Sequence, residues 1–470
     1  MKTKHNSKPS SSVRNGRDRS PRKMKDSGIE WLGEIPEDWE VKRLKYVTYI
    51  KARIGWQNLR SDEFSDEGIL CVTGTDFENG KVNISNCYRV SEDRYSQDPY
   101  IQLKENDLLI TKDGTIGKLA LVEELNEPAT LNSGVFVTRP LFNKYLQKFM
   151  FQILNSKIFN YFIEYMSFGS TINHLYQNVF ENFAIPLPPL AEQKAIAEFL
   201  DRETGRIDSL IAKQEKLIEL LQEKRQALIS HVVTKGIPSS VRNGRDRSPR
   251  KMKDSGIEWL GEIPEDWEVK RLKYFTKINP SKSELSTCPK NMQVTFLPME
   301  NIGEKGELDT SLTKELSEVI NGYSYLREND VIIAKITPCF ENGKGAIAKG
   351  LTNNIAFATT EVITLRCENE KSSVFLYYLL YSSPFRKIAE GTMYGAGGQK
   401  RVADSFVANY HFSLPSLTEQ KAIAEFLDRE TTKIDKLIEK AKESIELSKE
   451  KRQALISAAV TGKIDVRDMG

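Results

Sequence analysis

Little in this sequence is unbalanced, and several things are scarce. Lysine and arginine total 68 against 65 aspartates and glutamates, leaving a net charge of only +3 on 470 residues. Any nucleic-acid contact must therefore come from local basic patches rather than from bulk charge. There are five cysteines, Cys71, Cys87, Cys288, Cys339 and Cys367, an odd number without a CxxC pair. That usage argues against a disulfide framework or a zinc site and fits a reducing, cytoplasmic setting. The longest apolar run, Val374–Tyr381, falls far short of the roughly 18 residues a membrane helix needs. No apolar core of a secretory signal stands at the N-terminus.

Catalytic signatures are missing as well. The four histidines, His5, His174, His231 and His411, are scattered along the chain and form no ligand cluster. Gly114-Thr115-Ile116-Gly117-Lys118 lacks the spacing of a phosphate-binding G-x4-G-K-[ST] loop. Neither a GxSxG elbow nor an HExxH pair is present. Pro188-Pro189 follows Leu187, so it does not complete the Asn/Asp-Pro-Pro-aromatic tetrapeptide of amino-methyltransferases. These absences point to a binding protein rather than a catalyst.

What the sequence has is a repeat. Ser11–Tyr46 is identical, residue for residue, to Ser239–Tyr274. Glu192–Thr204 is identical to Glu419–Thr431, and Glu223–Ser230 to Glu450–Ser457. Between these borders, Val47–Ala191 and Phe275–Thr418 differ in length by a single residue, yet only islands match. Glu105-Asn106-Asp107 aligns with Glu328-Asn329-Asp330. Leu154, Ser156 and Phe159 align with Leu380, Ser382 and Phe385, and Gly169 aligns with Gly395. Plain duplication and drift would blur frame and filling together. A constant frame around unlike fillings fits one job done twice on two different targets.

The fillings mix strand and helix signals. Short β-branched or aliphatic runs between Gly, Asn and Asp predict strands at 69–73, 107–111, 119–122 and 134–138. Their counterparts are 294–297, 330–335, 345–348 and 361–365. One helix is expected after each set, at 144–165 and 372–389, with its Phe and Tyr stripe in the core. Each filling closes on prolines, Pro186, Pro188 and Pro189 or Pro415, where a long charged helix begins. In the second copy Ser416 and Glu419 have the spacing of a capping box.

Both long helices carry a 3–4 apolar spacing. The seam runs through Leu200, Thr204, Ile207, Ile211, Gln214, Ile218, Leu221, Arg225, Leu228 and Val232. In the second copy it runs through Leu427, Thr431, Ile434, Ile438, Ala441, Ile445, Ser448, Arg452, Leu455 and Ala459. Such a narrow stripe implies helix-on-helix packing, most simply antiparallel, with a pseudo-twofold internal repeat. Arg225 and Arg452 share one place in the repeat, which predicts equivalent settings. A fully helical 191–234 would be roughly 65 Å long, and a fixed length fixes the distance between two readers.

The frame also carries a family resemblance. Trp31-Leu32-Gly33-Glu34-Ile35-Pro36-Glu37-Asp38-Trp39-Glu40-Val41-Lys42-Arg43-Leu44, repeated from Trp259, resembles the opening of a target recognition domain. Pro188 to Ala197 resembles the segment that closes one, and Asn106 to Gly117 resembles its middle. Together they resemble the specificity (S) subunit of a type I restriction–modification system, over nearly the whole chain from about residue 27. The resemblance implies an α+β protein: two mixed α/β target recognition domains separated by two long antiparallel coiled-coil helices. The division it gives is 28–187 and 256–414 for the recognition domains, and 188–236 and 415–470 for the helices. Residues 1–27 and 237–255 remain as solvated, flexible basic linkers. In Arg14–Lys25 of that stretch, six basic residues stand against one acidic.

The resemblance further implies a bipartite double-stranded DNA target, two docked methyltransferase subunits and restriction subunits. S-adenosylmethionine, ATP and Mg are expected on those partners, with no cofactor or metal in this chain and no membrane. Base readers should be Arg, Lys, Asn or Gln at a groove edge, and phosphate contacts should lie on glycine-rich loops. In the first copy the candidates are Lys112, Thr115 and Lys118, with Ser170, Thr171, Asn173 and His174. In the second they are Lys335, Thr337 and Lys344, with Gln399, Lys400 and Arg401. Lys51, Arg53, Gln57 and Lys277 are weaker candidates. The rival reading is a coiled-coil scaffold or adaptor without sequence-specific DNA binding.

Overall fold

The computed structural model describes residues 22–53, 59–166, 174–239, 249–368, 370–396 and 398–467. The chain divides into two compact units, and the division falls inside both long helices. Unit 1 is Met1–Lys213 with Ser444–Gly470, and unit 2 is Gln214–Glu443. Each unit thus holds one filling, the opening of its own long helix and the closing part of the other.

In unit 1, strand Leu108–Thr111 lies between Val135–Pro140 and Leu119–Leu121, antiparallel to both, and Thr48–Lys51 extends the sheet beyond Val135–Pro140. In unit 2 the same order recurs as Thr276–Ile278, Val362–Cys367, Val331–Ala334 and Gly345–Ile347. Beside this sheet lies a second one with a parallel pair at its heart, Ile69–Val72 with Ala129–Leu131. Its counterpart is Gln293–Leu297 with Ile355–Ala358. All eight strands expected in the fillings are present, within a residue or two of their expected limits.

The helix expected after each sheet is instead two. Gln147–Leu154 is followed by Lys157–Met166, and Glu370–Tyr381 by Ser383–Gly391. The matched serines mark the break. The buried Ser156 hydroxyl donates back to the Ile153 carbonyl at 2.6 Å, and Ser382 does the same to Leu379 at 2.6 Å. A serine that bonds its own preceding turn competes with the helical ladder. Most of the aromatic stripe is core: Phe149, Phe159 and Phe162 are buried in unit 1, and Phe375 and Phe385 in unit 2, while Tyr161 and Tyr165 are exposed.

The other matched island builds a turn. Asn106 and Asn329 both have a left-handed backbone, at φ 66° and 69°, a conformation that asparagine tolerates better than most residues. The carboxylate of Glu105 accepts the backbone N–H groups of Glu124 and Leu125, and that of Glu328 accepts those of Gly350 and Leu351. Asp107 holds Arg139 through two hydrogen bonds of 2.7 Å, and Asp330 holds Arg366 through two of 2.8 Å. The islands of identity are therefore where the fold requires particular side chains.

The long helices are Leu190–Lys235 and Leu417–Val460. Gly205 leaves the first one unbroken. In unit 2 the two segments run antiparallel. Arg225 pairs with Asp435 at 3.0 Å, and Leu221 packs with Ile434 and Ile438. Gly236, further along the first helix direction, lies against Glu419, at the start of the second. In unit 1 Arg452 pairs with Asp208 at 2.9 Å, so the two seam arginines stand in equivalent settings. Leu200, Thr204, Leu221, Val232, Leu427, Thr431, Ile434, Ile438, Ala441, Ile445 and Ala459 are buried. Ile207, Ile211, Gln214, Ile218, Leu228, Ser448 and Leu455 are half-buried.

The EKRQALIS segments hold each filling in place. Ser457 accepts the Lys157 N–H in unit 1 at 3.2 Å, and Ser230 accepts the Ser383 N–H in unit 2 at 3.0 Å. Gln226 also donates to the Tyr381 carbonyl at 2.7 Å. A frame side chain thus supplies an acceptor to a first-turn N–H that has no partner inside its own helix.

The frame opening is folded where it is described. Met24–Asp26 pairs with Glu34–Pro36, and Met252–Asp254 with Glu262–Pro264. Of the segments expected as flexible linkers, 22–27 and 249–255 take part in this hairpin, while 1–21 and 240–248 lie outside the described residues. Glu40–Arg43 pairs with Ala184–Leu187, and Glu268–Arg271 with His411–Leu414. The proline-rich stop of the first copy is therefore itself a strand, which ties the two ends of the filling together. No described helix is long and apolar enough to cross a membrane.

Candidate nucleic-acid interface

Two loops in each filling carry the candidate contacts, and the fold joins them. In unit 1 the loop after Leu108–Thr111 forms an isolated antiparallel bridge, Asp113 to His174. In unit 2 the loop after Val331–Ala334 forms the same bridge, Ile336 to Arg401. The flanking hydrogen bonds correspond too: Leu175 N–H to the Lys112 carbonyl at 2.8 Å, and Val402 N–H to that of Lys335 at 2.9 Å. Glycines turn these loops through left-handed backbone, Gly114 at φ 67° and Gly117 at φ 85° in unit 1, and Gly398 at φ 76° in unit 2.

At the bridge, His174 Nδ1 meets the Asp113 carboxylate. Arg401 donates from Nε and Nη2 to the two oxygens of Glu361, both at 2.9 Å. The guanidinium holds the Glu361 carboxyl below its ordinary value. Two exposed tyrosines stand beside these groups. Tyr176 packs edge-on against His174 at 4.6 Å between ring centroids, and Tyr394 pairs its backbone with that of Arg401.

The other candidates fall in different places. Thr115 is exposed, and Lys112 is half-buried with its ammonium 5.5 Å from the Phe136 ring. Lys118 lies apart from the bridge. Its Nζ reaches towards the Gly74 carbonyl, at the mouth of a cleft shared with Lys81, Lys148 and Arg452. Lys335 lies 3.9 Å from Asp404, and Thr337 bonds the Lys400 backbone. Gln399 and Lys400 are exposed. Lys344 turns inward and donates to the Met299 carbonyl at 2.8 Å. Ser170, Thr171 and Asn173 lie outside the described residues, as does Gln57. Arg53 is a correction: it is 2% exposed and bonds the Leu131 carbonyl and Thr130 hydroxyl, so it braces the core. Lys51 and Lys277 are exposed on the edge strands.

Sequence reasoning passed over the partners of the bridge residues and the frame's own anchor. Glu361 is distant in sequence from Arg401 and carried no signal. Asp113 was visible within the loop but not as a partner. The anchor is Trp39 in unit 1 and Trp267 in unit 2, whose indole N–H donates to Glu192 at 3.0 Å and to Glu419 at 2.8 Å. Arg22 and Arg250 stack on those rings and pair with the same glutamates. The Glu419 carboxylate raises the Arg250 pKa against burial, and Asp266 adds to it. This employment of Glu419 also changes the expected capping box. Ser416 still accepts the Glu419 N–H at 3.3 Å, but the glutamate turns to the tryptophan and arginine. Perfect identity of both segments in both copies was the available signal.

Residues 36–220 and 264–447 match the family model described as the type I restriction modification DNA specificity domain. The chain is 30% identical over 458 residues to the type I restriction enzyme MjaVIII specificity subunit of Methanocaldococcus jannaschii, covering 93% of this chain and 95% of that one. The chain belongs to the type I restriction enzyme specificity subunits. It is thus a specificity subunit rather than a catalytic one, with two DNA specificity domains in tandem. A second relative, the EcoKI specificity subunit of Escherichia coli K12, is 20% identical over 92% of this chain and 90% of its own.

The fold agrees with this placement. The HsdS subunit from Thermoanaerobacter tengcongensis superposes with a TM-score of 0.52 at 17% identity, over 92% of this chain and 98% of that one. A chain from a structure titled for complex assembly and conformational transition of the type I R-M system gives 0.67 at 16% identity, over 92% and 99%. Each specificity subunit filling is thus a mixed α/β domain on a shared frame.

Proposed function

We propose that this specificity subunit reads a bipartite duplex DNA site, one half-site with each filling, and docks methyltransferase and restriction subunits through the frame. The observation that carries the reading is the contrast between frame and filling. The buried serines between the paired helices and the Glu-Asn-Asp turns recur because the fold needs them. The partly exposed side chains at the bridge do not recur: His174 stands where Arg401 stands. Different side chains on one scaffold suit different base sequences. The two long helices then set the number of unread base pairs between half-sites, one helical turn being about 34 Å. Cofactor chemistry, with S-adenosylmethionine, ATP and Mg, belongs in this reading to the partner subunits, and the assembled complex works in the cytoplasm.

Selection from random duplex oligonucleotides, with the chain and its methyltransferase subunits together, tests this. The expected product is a gapped motif with two unlike half-sites. Recovery of no enriched sequence would favour the scaffold reading.

A further inference from the structure

We propose that His174 and Arg401 are one base-reading position in two versions, each aimed by a carboxylate, and that Arg401 reads a guanine in the half-site of unit 2. This rests on the DNA-reading function proposed above.

The equivalence is one of backbone. Both residues sit on the same isolated bridge, with the same neighbouring hydrogen bonds. The carboxylates, however, come from different segments, Asp113 from the loop and Glu361 from the residue just before strand Val362–Cys367. Lys112 N–H bonds the Gly134 carbonyl, and Lys335 N–H bonds that of Glu361, so Gly134 occupies the place of Glu361. Asp113 occupies that of Ile336. A Cβ at Gly134 would lie 3.9 Å from an Asp113 carboxylate oxygen. One filling thus supplies its carboxylate from the loop and the other from just before the strand across it, and both bring it to the same side chain.

Stability does not account for that recurrence. These pairs are partly exposed, with 32% and 34% of the His174 and Arg401 side chains accessible. Ion pairs in that setting contribute only about 0–1 kcal/mol. Aiming does account for it. A guanidinium carries five N–H donors. In Arg401 the Glu361 oxygens take one on Nε and one on Nη2, and the Gln399 carbonyl lies 3.4 Å from Nη1. One donor on each terminal nitrogen is left, and the long Nη1 contact leaves the tip of the guanidinium able to present both. That is the fork that matches guanine O6 and N7 in the major groove.

His174 offers different chemistry. Its Nδ1 is engaged by the Asp113 carboxylate, which leaves one ring nitrogen for a further contact. Nε2 makes no hydrogen bond among the described residues. A single ring atom cannot form the two parallel bonds that guanine accepts from arginine, so the half-sites should differ at this position. Tyr176 and Tyr394, both 62% exposed, flank the two versions and offer each an aromatic contact.

The test is the same random-duplex selection, run with the methyltransferase-bound chain and with Arg401→Gln, Arg401→Lys and Glu361→Gln. In the unaltered complex one half-site should demand guanine at one position. Arg401→Gln should relax that position by about 5- to 150-fold and leave the other half-site unchanged. Arg401→Lys keeps the charge but lacks the planar fork, so it should weaken the guanine preference while retaining most of the overall affinity, since an ammonium still donates to guanine O6 and N7. Glu361→Gln, which removes the aim but not the reader, should keep guanine as the preferred base with weaker discrimination. A uniform loss of affinity in Arg401→Gln with both half-sites intact would make Arg401 a phosphate contact and overturn the inference. Absence of any enriched sequence with the unaltered complex would instead overturn the DNA-reading function beneath it.

Discussion

Replacing Asp330 by alanine is expected to lower stability by about 3–5 kcal/mol, the usual cost of leaving one partner of a buried ion pair alone. Asp330 is 1% exposed, and its carboxylate holds both Nε and Nη2 of Arg366. It also accepts the Arg327 backbone N–H at 2.9 Å, so removal orphans three donors at once. Glu284, already bonded to Arg366 Nη1 at 2.7 Å, compensates only in part because it lies nearer the surface. Asp107→Ala should behave alike in unit 1, where Arg139 keeps the Gln102 carbonyl as its remaining partner. The readout is the urea midpoint at unchanged slope. The double variant Asp330→Leu, Arg366→Met should recover most of the loss, because a packed apolar pair avoids the desolvated lone charge. A loss below about 1 kcal/mol for both single variants would mean that the matched turn is not structural.

Trp39→Ala should cost a similar amount, about 3–5 kcal/mol for a large aromatic removed from a packed site. Trp39 is almost wholly buried, stacked under Arg22 and bonded to Glu192, which is itself buried. The close of unit 1 rests on it. A Cβ on Gly462 would come within 2.3 Å of Pro36 and 3.0 Å of the Trp39 ring, so this glycine allows the contact. Trp39→Phe keeps an aromatic ring under Arg22 but loses the N–H to a carboxylate and part of the indole volume, so it should cost less than the alanine change, roughly 1.5–3 kcal/mol. Unfolding followed by circular dichroism separates the two. Equal losses would show that the hydrogen bond, rather than the ring, holds the frame.

The repeat, the strands and the two long helices were legible because they rest on period, spacing and identity. A short β-branched apolar run marked Val331–Ala334, and the 3–4 stripe marked Leu427, Ile434 and Ile438 without reference to any partner. The helix pairs were not legible. Ser156 and Ser382 carry no sequence signal that sets them apart from serines such as Ser230 and Ser457, which bond the preceding turn inside unbroken helices. Nor was the fate of Arg53, whose charge suggests surface while its partners, Leu131 and Thr130, come from a strand distant in sequence. The bridge was half legible. Its glycine-rich loops and its basic residues could be named, but which of them meet depends on strand order. The carboxylates behind His174 and Arg401 enter from places that no spacing rule connects.

The frame is common to both halves, and the filling alone sets what each half reads. The direct measurement is DNA selection with a chain in which residues 275–411 replace residues 47–184, so that both frames carry the second filling. The account predicts a gapped site made of the same half-site twice, in inverted orientation, with the spacer unchanged. An enriched site that kept the original pair of unlike half-sites would contradict it.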